Sequence, residues 1–195
     1  MRTVCNSLAC DESAGACDHP VCTEGTALVS GCDDPYRKVK EANNEAAMRL
    51  RPRAEELIGD ADDTLVAAVR LAIIGNLIDA GVNHQFELES EIERAMTRDF
   101  AGDGFKQLRE EIARAKTVLY LADNAGEIVF DHLLVERLQD KDILVAVRPE
   151  PVLNDALAAD AAFAGLDEVA EIVSPGPGWP GSGIHDCAPE FQRLF

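Results

Sequence analysis

The stretch Val118–Leu138 constrains the fold most, because it reads as a strand, a polar turn and a helix in immediate succession. Val118 to Ala122 is continuously apolar and short, the pattern of a strand buried on both faces. From Ile128 to Leu138 the apolar residues recur at helical spacing, with Asp131, His132, Glu136 and Arg137 between them. The linking turn, Asp123-Asn124-Ala125-Gly126-Glu127, offers a carboxylate, an amide oxygen, a flexible glycine and free helix N-terminal amides. In a parallel sheet such a turn lies at the carboxyl end of a strand, where open α/β sheets bind ligands. Its oxygen donors suit a hard divalent cation, and its amides suit a phosphate. A simpler reading is that Asp123 or Asn124 only caps the helix. The turn alone does not decide between the two.

A second unit of the same kind follows. Asp142–Val147 reads as another buried strand, and Val152–Asp160 as the start of another helix, after Arg148-Pro149-Glu150-Pro151. A strand–helix–strand crossover is right-handed, so both turns open on one sheet edge, bringing Arg148 and Asp155 to the edge that carries Asp123 and Asn124. Arg148 is a candidate for neutralising phosphate charge, with a plain surface arginine as the alternative. Ala170–Ser174 reads as a third short strand. Beyond it lies the Gly/Pro-rich stretch around Trp179, a loop that either packs on the sheet or folds over the pocket.

The region before the first strand reads as helical. Asp33-Asp34-Pro35 is a helix start, with an apolar stripe at 36, 39, 46, 47 and 50, and Pro52 is expected to break or restart that helix. Asp60–Asp63 caps Thr64–Ala80, which is apolar nearly all round and reads as a buried helix ending at Gly81. Gly75-Asn76 interrupts its apolar run, and Asp79 follows one turn later on the same face. Burying such groups without partners costs a few kcal/mol, so they need a neighbour or a purpose. The charged helices near Glu87–Arg98 and Phe105–Lys116 read as solvated faces, with His84 on the surface before them.

Residues 1–33 differ from the rest. They hold Cys5, Cys10, Cys17, Cys22 and Cys32 around His19. The cysteine gaps are loose for zinc, and disulfides do not suit a cytoplasmic chain, so the segment reads as a poorly ordered leader. Cys187 reads as a small, half-buried residue. The net charge of −18, from 18 basic and 36 acidic residues, argues against nucleic acid as a partner. No apolar run is long enough to span a bilayer and no signal peptide is evident, so no membrane partner and a cytoplasmic location are expected. The acid-rich, lysine-poor composition points to a halophilic source, for which stability should rise with salt.

Two segments carry a family resemblance: Leu121-Ala122-Asp123-Asn124-Ala125-Gly126-Glu127-Ile128-Val129-Phe130-Asp131, then Asn154-Asp155-Ala156. Together they resemble the damage-control phosphatases (DUF 89, ARMT-like metal-binding domain), in their archaeal and bacterial branch, from about Asp34 onward. The resemblance implies a metal-dependent phosphatase acting on a small phosphorylated metabolite such as a sugar phosphate. It implies that Asp123, Asn124 and Asp155 hold a divalent metal (Mn²⁺, Mg²⁺, Co²⁺ or Ni²⁺). Asp123 and Glu127 would be catalytic, while Asn76, Asp79 and Arg148 would bind substrate. Gly75-Asn76-x-x-Asp79 is similar to the family's helical-domain motif that reaches into the active site. The sequence departs from the pattern at Leu157 and Ala159, where the family carries Thr and an acidic residue. It also stops before the family's Lys-Gly segment, so it reads as truncated.

The expected architecture is α/β: a leader (1–33), a helical bundle (34–116) and a small parallel-sheet, three-layer α/β domain (117–195). Two rivals stay open. One is an S-adenosylmethionine-dependent carboxyl methyltransferase, although a nucleotide-binding turn wants more glycines than the single one here. The other is a metal-binding but inactive truncated homologue.

Overall fold

A computed structural model describes residues 31–79, 85–98, 100, 104–176 and 184–194, without side chains at 77–79 and 85–88. The cysteines up to Cys22, His19, Gly81, His84, Trp179 and the side chain of Asp79 lie outside the described residues. The elements run α1 (Arg37–Gly59), α2 (Thr64–Asp79), α3 (Gln85–Thr97), α4 (Gly104–Arg114), β1 (Thr117–Leu121), α5 (Glu127–Val135), β2 (Asp142–Ala146), α6 (Ala158–Ala164), β3 (Glu171–Val173) and α7 (Pro189–Gln192). The fold is the expected one, helices followed by a small parallel three-stranded sheet. Among the described residues no helix is long and apolar enough to cross a membrane.

Asp63 caps α2 as expected, its Oδ1 accepting the Val66 N–H at 3.1 Å. Pro52 does not break α1. The helix passes through it because Pro52 faces solvent, while Ala47, Leu50, Ala54 and Ile58 on the other side are buried. Those contacts offset the ~3 kcal/mol that an interior proline costs a helix. The buried stripe also differs from the expected one, since Val39 is 47% exposed whereas Lys40 and Asn44 are buried. Lys40 is matched by Asp34, Nζ to Oδ2 at 2.7 Å. α2 is buried along most of its length, with Ile73 as an exposed exception.

The sheet has the order β1-β2-β3, all parallel, with Thr117 opposite Asp142 and Leu144 opposite Glu171. Because both crossovers step the same way, α5 and α6 lie on one face of the sheet. β1 is an edge strand rather than one buried on both faces: Val118 and Tyr120 pack on the core, but Leu121 is 60% exposed. The more buried strand is the central one, β2, where Ile143, Val145 and Ala146 are buried.

α5 was expected to be amphipathic, yet every residue from Ile128 to Val135 is buried, because α1 and α2 cover the side turned away from the sheet. Asp131 is satisfied there by the Tyr120 hydroxyl, which donates to its Oδ1. Burial pushes the Asp131 carboxyl up to about 8; the charges of Glu127 and Asp123 add to this, and the Tyr120 bond opposes it. Folding therefore takes up a proton at Asp131. The stability that this contributes is whole below the unfolded carboxyl range, ~3.9, and is lost as pH rises through the folded value. Stability should fall by up to ~1.4 kcal/mol per pH unit across that window. Asp131→Asn keeps an acceptor for Tyr120, so its melting temperature should be flatter than wild type from about pH 4 to about pH 8. An unchanged slope in the variant would place the titration elsewhere.

Candidate metal and substrate site

The turn after β1 is held by its backbone. The Ala125 N–H donates to the Asn154 carbonyl at 2.9 Å, and the Asp123 carbonyl accepts the Ala156 N–H at 2.7 Å. These bonds join it to the turn after β2, with an antiparallel bridge between Asn124 and Asp155. The same pairing explains why α6 begins at Ala158 and not, as expected, near Val152. Residues 152–157 are spent on bonds to the first turn and to Arg148, and Leu153 adopts a positive φ of 47° within them. Asp155 therefore stands on a braced loop at the carboxyl edge of β2.

Neither Asp123 nor Asn124 caps α5 through its side chain; Gly126 is the N-cap, with φ +90° and no side-chain bond. The capping explanation for these two residues is thus removed. Several amides at this helix start, which the sequence suggested for an anion, are engaged within the chain. The N–H groups of Ala125, Gly126, Ile128 and Val129 already donate to Asn154, Asn44, Asn124 and Gly126.

Asn124 is buried, its Oδ1 accepting from Asn154 Nδ2 at 2.8 Å while its own Nδ2 donates to Glu127 Oε2 at 3.3 Å. Arg148 Nε donates to Asp155 Oδ2 at 2.6 Å. Burial raises the Asp155 carboxyl above its ordinary range, and Arg148 opposes that shift. Asp123 is exposed and lines, with Asp155 and Arg148, a cavity of about 340 Å³. Its other walls are mostly apolar, among them Leu121, Val147 and Phe191.

Four of the expected site residues thus meet at one sheet edge: Asp123, Asn124, Arg148 and Asp155. Glu127 lies to one side, against Asn124 and against Gly75 near the end of α2. A Cβ on Gly75 would sit 3.1 Å from Glu127 Cγ, so the glycine, not its neighbour, lets α2 approach α5. Asn76 is exposed, which corrects the expectation that its amide is buried.

The donors at the edge are two carboxylates and an amide oxygen, and among the described residues no group of three His, Cys, Asp or Glu side chains stands ready for a metal. An all-oxygen set beside an open cavity fits a hard cation that keeps water or substrate oxygens, and does not fit a soft one. Sequence reasoning missed Asn44. Its Oδ1 accepts the Gly126 N–H at 2.6 Å and its Nδ2 donates to Asp160 Oδ1 at 2.7 Å. The available signal was its phase: 40, 44, 47, 50, 54 and 58 form one helical stripe.

A small parallel sheet whose strand ends present oxygen donors beside a cavity defines an α/β protein with its candidate site at the carboxyl edge of the strands. Residues 22–195 match the family model described as the damage-control phosphatase ARMT1-like domain, and the chain belongs to that family. It is 33% identical over 169 residues to a damage-control phosphatase of Pyrococcus horikoshii, covering 85% of this chain and 58% of that protein. It is 35% identical over 174 residues to one of Archaeoglobus fulgidus, covering 86% and 60%. An uncharacterized protein of Methanocaldococcus jannaschii is 33% identical over 174 residues, with 86% and 57% covered. The fold is similar to the crystal structure of a DUF89 family protein from Pyrococcus horikoshii, with a TM-score of 0.80 at 30% identity. That match covers 98% of this chain and 69% of the solved one. The chain spans about three-fifths of the length of these curated relatives.

Proposed function

We propose that the chain carries the metal-binding edge of a metal-dependent phosphatase that hydrolyses a small phosphorylated metabolite such as a sugar phosphate. One observation carries the reading: the backbone bridge between Asn124 and Asp155, which ties two turns from different strands into a single oxygen-rich edge. Family membership and relatives named damage-control phosphatases support the phosphatase class. Asp123, Asn124 and Asp155 would hold Mg²⁺, Mn²⁺ or a similar hard cation. Once bound, such a cation supplies Lewis-acid polarisation of a phosphoryl oxygen.

This chain's own groups do the rest. Asp123 reaches the cavity from the first turn and Asp155 from the second. Arg148, already held by Asp155, places positive charge on the cavity wall, where it offsets the charge of a phosphate. Glu127 is proposed to take or orient a proton of the attacking water, with its carboxylate set by Asn124. Asn76 and Asp79, at the end of α2, are proposed to touch the part of the substrate beyond the phosphate.

The test is phosphate release from a panel of sugar phosphates with Mn²⁺ in high salt. Release should stop on chelation and return when the cation is restored. Methyl transfer from S-adenosylmethionine without added metal would overturn the reading in favour of the rival chemistry.

A further inference from the structure

Asn44 is 4% exposed, yet it is a polar residue on the inner stripe of α1, far in sequence from the turn and the helix start it touches. Its acceptor meets the Gly126 N–H at 2.6 Å and its donor meets Asp160 Oδ1 at 2.7 Å. The second oxygen of Asp160 accepts the Leu157 N–H at 2.9 Å. A continuous path of hydrogen bonds therefore runs from Gly126, through Asn44 and Asp160, to Leu157. One end lies two residues from Asn124 and the other two residues from Asp155. The direction of each bond is forced, because an N–H can only donate and an ionised carboxylate can only accept. With a carboxylate at position 160, only a short side chain with both functions closes the path.

We infer that Asn44 is a positioning residue: acting through Gly126 and Asp160, it sets the separation of the two turns that carry Asp123, Asn124 and Asp155. The two turns bond directly on one side, through Ala125, Asn154 and Ala156, and Asn44 braces them from the helical side. A buried amide with both bonds made is stiff, and losing either partner strands a buried polar group. The helical region thereby acts on the oxygen edge without touching it. The bracing is a property of the backbone, whereas its effect on metal rests on the functional reading proposed above.

The test uses the full chain with Asn44→Asp, Asp160→Asn and the reciprocal double variant. Asn44→Asp sets two carboxylates against each other. Asp160→Asn leaves two donors facing at one of its contacts. The double variant restores the path with its middle bond reversed: the new carboxylate accepts from the new amide, and the Gly126 and Leu157 N–H groups both keep acceptors. Two readouts are taken, amide exchange at Gly126 and Leu157 and the affinity for Mn²⁺.

Each single variant should speed exchange at both amides about tenfold and weaken Mn²⁺ binding about tenfold, and the double variant should return both to within about threefold of wild type. A side chain that merely fills space would show no reciprocal recovery. If Asn44→Asp does not fold, recovery of the fold in the double variant is the expected rescue. Wild-type protection in the single variants, or a double variant worse than either single one, overturns the inference. Exchange that follows the expected pattern in a chain taking up no Mn²⁺ upholds the brace and removes the metal reading. Mn²⁺ binding that ignores all three variants, with unchanged exchange, removes the brace alone.

Discussion

Asp123→Ala should lower Mn²⁺-dependent phosphate release by about a thousandfold or more, the several kcal/mol that a correctly held cation supplies to a developing charge. The loss should fall on kcat as well as on metal affinity. Little stability should go with it, because the Asp123 side chain is exposed and its structural bond to Ala156 is made by the backbone carbonyl. That separation makes the variant informative: melting temperature within a few degrees of wild type, activity gone. Asp155→Ala is less clean, since it also releases Arg148 from its 2.6 Å bond. A phosphatase that kept most of its rate without Asp123 would not be using this edge.

Gly126→Ala should be the most destabilising small substitution in the site. The residue has φ +90°, where an L side chain is strained, and an added Cβ would stand 3.0 Å from Asn43 Cβ and 3.2 Å from the Asn43 carbonyl carbon and oxygen. Two of those three atoms are backbone of α1, which cannot turn aside as a side-chain tip can. Strain and overpacking together should cost about 3 kcal/mol, or roughly 6–12 °C in melting temperature for a chain of this size. Metal affinity should fall too, because the Gly126 N–H is one end of the path through Asn44. Gly75→Ala is the comparison. It also meets Glu127 closely, at 3.1 Å from Cγ and 3.2 Å from Cα, but its backbone is helical and unstrained, so it should lose less. Equal melting temperatures for wild type and Gly126→Ala would show that the turn relaxes freely.

The strand, turn and helix around Asp123 were legible because each carries a local signal: apolar density, then turn residues, then a 3.6-residue period. What the sequence could not show was how one turn would use the other. Residues 152–157 look like a helix start on local propensity, but the bonds at Ala125 and Ala156 that tie them to the other turn hold them in a tight turn and bridge, and α6 begins later. The burial of Asp131 and His132 was hidden for a similar reason. α5 is covered by the sheet on one side and by α1 and α2 on the other, which no single-helix pattern reports. Lys40 and Asn44 read as solvated positions by type, and only their phase with Leu50, Ala54 and Ile58 marks them as internal. Pro52 signals a break that the fold overrides: a proline breaks a helix less when it faces solvent and the opposite face is well packed. Gly75 was noticed with Asn76, but its role is steric, allowing the approach of Glu127.

A cation site shared by the two turns must lose its ion when either turn loses its carboxylate. The direct measurement is a titration of the chain with Mn²⁺, following free ion by its electron paramagnetic resonance signal, for wild type, Asp123→Ala and Asp155→Ala. Wild type should show saturable binding that is lost in both variants, one from each turn, while all three remain folded. Saturable binding of equal strength in all three, or loss in only one, would contradict a shared site.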